Sequence, residues 1–577
     1  MPTMQLANEA FKLNLCYDAP KPIAPSHLVC ARRDSAAFQL ILNSDQFYSV
    51  STAPGEWFSE RGDKHYNNPR VHDRLRVAVE APFETCVQIE ELLTDDDWTK
   101  KADMLLSATV RDSNPNQPTA VWVEIRVPED ATPGDYTVTA KLYGARYFED
   151  EREIACVTLP LRVMDFTLPR PSERKIFLDL WQHNSNIARK HDVPLWSDAH
   201  FAVMEKYVKT LANLGQRSIT VCVSEIPWSG QNCIEYQEFG GNLFEFSMVR
   251  ITRRKDGTFD YDLSIVQRYI DLCTAAGFSG DIELFGLVNL WNNPLLMPKK
   301  LCEEYPEAIR IRYIDEADGC LKYMRNFEDI VAYVQYLEAY FKRTGQIARV
   351  RVAADEPANV DLYRESLDLL QKITPAFRLK TAINHVEFIG EFGDRIDDFV
   401  PHLRSALKGF DTLTHYREKY PEKRFLWYVC TGCIVPNTFL RSPLTESRMI
   451  GTITSAFRFD GFLRWNYTVW PNDPRREIRE SRWEAGDTNF VYPANNGDVL
   501  LSLRYKNLQR GLADHEIFET VRERHGDAAA DALIGKLLFV SDAHTYYSLS
   551  RTNVPLFSYD WEVFNSVKEE ALALLEN

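Results

Sequence analysis

The chain has 577 residues, 45% of them apolar and 26% charged, an ordinary globular composition that excludes disorder, collagen and coiled coil for the whole. That length predicts two to four domains, or fewer if a barrel absorbs much of it. The 67 Lys and Arg against 83 Asp and Glu leave a net charge of −16, which argues against nucleic acid as a partner.

Residues 1–168 read as a β-sandwich domain. Segments 37–43, 73–81, 119–127, 135–144 and 152–166 alternate apolar and polar residues with β-branched content, and no convincing helix interrupts them. Residues 128–135 (PEDATPGD) supply the Pro, Asp and Gly of a reversal. Pro169, Arg170 and Pro171 then mark a stiff boundary.

From Lys175 the texture changes to short apolar strands alternating with longer helical segments. Strands are expected at 175–181, 218–226, 281–291, 348–356, 377–384, 397–400, 424–430 and 461–470, with amphipathic helices such as 200–215 and 327–345 between them. Eight such units predict a (β/α)8 barrel of the TIM type over residues 172–500. A doubly wound sheet is the alternative, but it would place a Gly-rich loop after the first strand, and residues 180–186 (LWQHNSN) contain no glycine. Helical stretches at 500–523, 527–540 and 559–576 predict a C-terminal segment, 501–577, packed on the barrel. The N-terminus shows no basic-then-apolar leader, and no run approaches the roughly 18 apolar residues of a membrane span. With 11 scattered cysteines, an odd number, the chain reads as a cytoplasmic protein with reduced thiols and no membrane partner, a processed secreted form being the alternative.

Barrel enzymes carry their chemistry at the carboxyl ends of strands. There the fourth predicted strand ends in Asp355-Glu356-Pro357, after the small residues Ala353 and Ala354. Successive strand side chains face opposite ways, so two adjacent carboxylates serve one site only where the strand breaks, and Pro357 is placed to break it. A solvated acidic loop is the competing reading. Retaining glycosidases usually pair an acid with a carboxylate nucleophile on another strand, about 5 Å away. By analogy that partner often sits on the seventh strand, yet residues 424–440 contain no Asp or Glu. The adjacent pair would then act together, with the substrate supplying its own nucleophile.

Residues 461–474 (GFLRWNYTVWPNDP), 483–493 (WEAGDTNFVYP), 502–518 (SLRYKNLQRGLADHEIF), 352–357 (VAADEP) and 255–277 together resemble the catalytic domain of glycoside hydrolase family 123, and the N-terminal region resembles the sandwich that precedes it. The resemblance implies an exo-acting, retaining β-N-acetylgalactosaminidase that uses substrate-assisted catalysis. In that scheme Glu356 is the general acid and then the base, with a pKa expected to be raised by burial and by Asp355. Asp355 stays ionised and orients the 2-acetamido group, whose carbonyl oxygen closes an oxazolinium. No cofactor is required. The expected partner is a carbohydrate ending in N-acetylhexosamine, with GalNAc or GlcNAc left open and oligomeric state unspecified.

Candidate substrate-binding residues lie at the other predicted strand ends. Trp181, Trp228, Trp291, Trp465 and Trp470 would present indole faces to a pyranose, with core packing the alternative for each one singly. His183, Asn384, His385, Tyr428 and Asn466 would hydrogen-bond hydroxyls or orient Asp355. Arg464 and Asp487 lie in the resembling segments and suit a structural ion pair. Cys430 and Cys433 form a CxxC with no second ligand pair in sequence, so no metal is expected and small residues of a pocket wall are the preferred reading. Two other functions stay in play: a glycosidase acting on another sugar, and a carbohydrate-binding protein that has lost turnover.

Overall fold

The computed structural model describes residues 2–16, 20–55, 72–147, 149–227, 244–288, 310–357, 360–432, 435–479 and 483–576. Its N-terminal part is the expected pair of packed sheets. One is antiparallel, with strands in the spatial order Thr3–Asn8, Asp34–Asn43, Thr119–Val127, Glu84–Thr94 and Lys100–Leu105. The other runs Leu28–Arg32, Arg152–Thr167, Gly134–Arg146, Asp73–Glu80, Tyr48–Ser51 and Val110–Ser113, and is mixed because its first two strands pair in parallel, as do Asp73–Glu80 and Tyr48–Ser51. Leu40, Leu42, Val121, Val123, Val138, Leu142 and Leu161 interdigitate between the two sheets.

Strand Thr119–Val127 is buried on both faces apart from Arg126. Its second face, carrying Ala120 and Trp122, packs against Leu444 and Leu503 from the C-terminal half. The sheet therefore has no solvated side at this point.

Eight parallel strands follow: β1 (Phe177–Leu180), β2 (Ile219–Cys222), β3 (Ile282–Phe285), β4 (Val350–Ala354), β5 (Arg378–Ile383), β6 (Asp398–Pro401), β7 (Arg424–Tyr428) and β8 (Gly461–Arg464). They lie in the order β1-β8-β7-β6-β5-β4-β3-β2. The two ends meet through a parallel bridge between Leu178 and Gln216, and Leu180 N donates to Gln216 Oε1 at 2.8 Å, which curls the sheet into a barrel. Residues after β2 and β3 join in a four-stranded sheet, Phe259–Asp262, Arg250–Arg253, Arg312–Asp315 and Leu321–Tyr323, that the sequence pattern did not announce.

Helices between strands follow local signals. In Asp198–Leu214, Ser197 caps the start by accepting from His200 N at 3.2 Å, and Gly215 ends it at φ 89°. Phe201, Met204, Val208 and Leu211 line the stripe it buries on the barrel wall.

Inside the barrel, alternation stacks side chains in layers. Lys380 on β5 sits fully buried between Asp179 on β1 and Glu283 on β3, with Nζ 2.5 Å from Glu283 Oε1. Two residues further along the same strands come Ala382, Trp181 and Phe285, part of an apolar layer with Ala353, Leu426, Tyr428, Leu463 and Trp465. This layer lies at the carboxyl end of the barrel strands.

After the barrel, helix Leu503–His525 is buried along most of its length, charged residues included. It crosses helix Leu444–Ala456 at Gly511 and Gly451, where a Cβ on Gly451 would stand 1.8 Å from Gly511 O. Helices Asp527–Leu537, Ala543–Leu549 and Trp561–Leu575 complete the chain.

Candidate active site

β4 ends at Ala354, and Asp355 keeps the strand alternation and faces the barrel mouth. Glu356 then takes a left-handed backbone, φ 41°, held by its N–H donating to Ala382 O at 3.1 Å. Left-handed geometry is costly for a residue with a Cβ, of order 1–3 kcal/mol. Here it brings two adjacent carboxylates to one pocket. The expected strand break is therefore made at Glu356 itself, one residue before Pro357.

Both carboxylates are half-buried. Glu356 receives two donors: Asn384 Nδ2 to Oε2 at 2.9 Å, and the Tyr428 hydroxyl to Oε1. Burial first, and then the charge of Glu356, push the Asp355 carboxyl well above the usual carboxylate range. Both carboxylates share a pocket with Trp181, Ala382, Leu463 and Trp465.

Trp181, Trp465 and Trp483 wall this inner pocket, with the Trp465 and Trp483 ring centroids 5.3 Å apart. Past Glu356, Cys430 and Thr431 the pocket is continuous with an outer cleft of about 460 Å³. Asn384, His385, His402, Arg404 and Lys408 line the cleft. His402 sits edge-on to the Tyr428 ring, with centroids 5.1 Å apart, and burial lowers its pKa to about 4, so it is neutral near pH 7. Among the described residues, Arg404 and Lys408 have no acidic partner; both are exposed.

The remaining candidates lie elsewhere. His183 is fully buried with Nε2 3.1 Å from Trp465 O, and its pKa is lowered by burial to about 4. Asn466 is buried and accepts from Val469 N at 3.1 Å. Trp470 is buried in the outer core, its Nε1 donating to Val491 O at 2.7 Å. These three do not line either cavity. Trp228, Trp291 and Cys433 lie outside the described residues. Arg464 and Asp487 form a fully buried pair at 2.5 Å, and Arg464 also donates to Val429 O, fixing the end of β7 beside Tyr428. Cys430 is a half-buried wall residue whose thiol is pushed up by burial.

Trp483, His402, Arg404 and Lys408 were not singled out from sequence. Trp483 had a signal, since it opens the WEAGD segment. The others belong to loops and a short helix whose approach to the mouth depends on tertiary packing.

An eight-stranded parallel barrel with a carboxylate pair at a strand end and indole walls defines a glycoside hydrolase class of site. Residues 181–521 match the sequence profile of "Glycoside hydrolase 123, catalytic domain", more than half of the chain. The chain belongs to glycoside hydrolase family 123 and is a glycosidase by that membership. Its fold is similar to that of a family 123 glycoside hydrolase from Clostridium perfringens, studied for glycolipid glycan hydrolysis, with TM-score 0.72, 18% identity, and 100% of this chain and 97% of that one covered. A putative glycoside hydrolase from Bacteroides vulgatus aligns with TM-score 0.29 at 10% identity over 78% of this chain and 77% of its own. No curated protein matches the sequence.

Proposed function

We propose that the protein is an exo-acting β-N-acetylgalactosaminidase that retains configuration through substrate-assisted catalysis. One observation carries this reading. Among the described residues, Asp355 and Glu356 are the only acidic side chains lining the inner pocket, and they come from one strand end. With no carboxylate opposite them among the described residues, the attack on the anomeric carbon is assigned to the sugar's own 2-acetamido oxygen.

The terminal sugar occupies the inner pocket against Trp181, Trp465 and Trp483. Glu356 protonates the glycosidic oxygen, and later removes a proton from the water that opens the oxazolinium. Asp355 accepts the acetamido N–H and turns the carbonyl oxygen toward the anomeric carbon. That new donor favours the charged form of Asp355, and a negative Asp355 beside it favours the protonated form of Glu356 that the reaction needs. Tyr428 and Asn384 hold Glu356 at the junction with the outer cleft, which takes the leaving group. The C. perfringens relative's link to glycolipid glycans supports a glycan leaving group of that kind.

The test is a panel of aryl glycosides with the wild type and Glu356→Gln. GalNAc is the preferred sugar, and Glu356→Gln lowers kcat by about 10²–10⁴ on poor leaving groups while sparing activated ones. Full activity of that variant on every substrate, or turnover confined to sugars without a 2-acetamido group, would overturn the assignment.

A further inference from the structure

A second cleft, of about 430 Å³, lies between the sandwich and the barrel. Arg174 lines it from the segment just before β1, so it opens at the amino end of the barrel strands, opposite the carboxylate pair. Arg174 is 5% exposed, and its Nε and Nη1 are buried with no hydrogen-bond partner among the described residues. An unpaired, desolvated guanidinium is unfavourable, and proteins keep one where something else completes it.

The surroundings do not complete it. Five cations line the cleft (Arg33, Arg126, Arg174, Lys506, Arg510) against two carboxylates, Asp34 and Glu124. Asp34 is taken by Lys568 at 2.6 Å, and Glu124 by Lys506 at 2.7 Å and Arg510 at 3.2 Å. Arg33 and Arg126 are paired outward, to Glu129 and Glu84. Glu516, whose charge also acts on Arg174, is bonded to Lys175 at 3.1 Å. Arg510 is also paired, to Glu9 at 2.9 Å, so among the described residues Arg174 is the cation of the cleft lining left without a carboxylate in ion-pair contact.

We propose that this cleft binds a small phosphate-bearing anion, anchored by the Arg174 guanidinium. The unpartnered Nε–H and Nη1–H of Arg174 can each take an oxygen of a tetrahedral oxyanion, whose further oxygens reach the other cations of the cleft. The volume exceeds that of a bare phosphate and falls in the range of small-molecule sites, with Val127, Pro128, Pro171 and Leu501 available to an organic portion. A ligand held there touches Arg126 of the sandwich and Arg510 of helix Leu503–His525 at once, so it ties the two halves of the chain together.

The experiment is calorimetric titration of the full chain with inorganic phosphate, and separately with glycerol phosphate, at constant ionic strength with chloride as the control. Saturable binding is expected, with a thermal midpoint that rises with phosphate and not with chloride. Tighter binding of glycerol phosphate identifies a phosphorylated small molecule, and equal or tighter binding of inorganic phosphate identifies the free ion. Arg174→Met, checked for folding by circular dichroism, weakens binding at least tenfold. Gln509→Glu at the cleft rim adds a negative charge without touching the buried arginine and weakens binding as well, which keeps the comparison available if Arg174→Met does not fold. No saturable binding of either phosphate by the wild type, or binding unchanged in the folded variants, overturns the proposal.

Discussion

Asp355 and Glu356 show how a site is held at the cost of stability. Burial and the Glu356 charge raise the Asp355 pKa above its unfolded value near about 3.9. A raised carboxyl favours the folded state most at low pH, and that contribution is lost as pH climbs from the unfolded value to the raised one. Asp355→Asn removes the penalty. It is expected to raise the thermal midpoint at pH 7 and to flatten its dependence above pH 4, while hydrolysis of acetamido sugars falls sharply. Thermal melts across pH check the first part, and a midpoint unchanged or lowered at pH 7 would contradict it. The pair itself was legible in sequence, because a strand end, two small residues and a seventh strand without acids are local features. Trp470 and Asn466 lie away from both cavities for a definite reason. β8 stops at Arg464, so residues read as the end of a longer strand belong to a loop that turns into the outer core. His183 likewise starts helix Asn184–His191 and points inward to Trp465 O.

At the scale of elements, the crossing of helices Leu444–Ala456 and Leu503–His525 depends on two glycines. A Cβ on Gly511 would stand 2.2 Å from Arg448 O, a backbone atom that cannot swing away. Gly511→Ala is expected to destabilise the protein by about 1–3 kcal/mol or more through overpacking, despite alanine's better helix propensity. Denaturant titration measures this, and a stabilised variant would show that the helices are not closely apposed. The sequence pattern located the barrel strands and the long helices, whose periodicity is local. It missed strands such as Tyr48–Ser51 and Val110–Ser113, and the sheet joining the loops after β2 and β3, whose short segments acquire their shape only by pairing across the fold.

Across the whole molecule, the segment resembling family 123 at residues 502–518 has a structural purpose. Arg504, fully buried, pairs with Asp103 of the sandwich at 2.9 Å and donates to Thr438 O, Gly486 O and Asn489 O at 2.9, 2.7 and 2.8 Å. One side chain thereby ties the sandwich to the loops after β7 and β8. Arg504→Met leaves Asp103 buried and unpaired and is expected to cost about 3–5 kcal/mol. Unfolding monitored by two probes, one in each half, checks this, and a loss below about 1 kcal/mol would show that the clamp is dispensable. The motif marked the family without revealing this role, since the carboxylate it meets is about 400 residues away in sequence.

The central claim is that the substrate's acetamido oxygen attacks the anomeric carbon beside Asp355 and Glu356. Its most direct test is kcat/KM for one aryl GalNAc glycoside carrying N-acetyl, N-fluoroacetyl, N-difluoroacetyl or N-trifluoroacetyl groups. Each fluorine weakens the carbonyl oxygen as a nucleophile while leaving the glycosidic bond in place. The mechanism predicts a steep, monotonic fall along the series, and a flat series would contradict it.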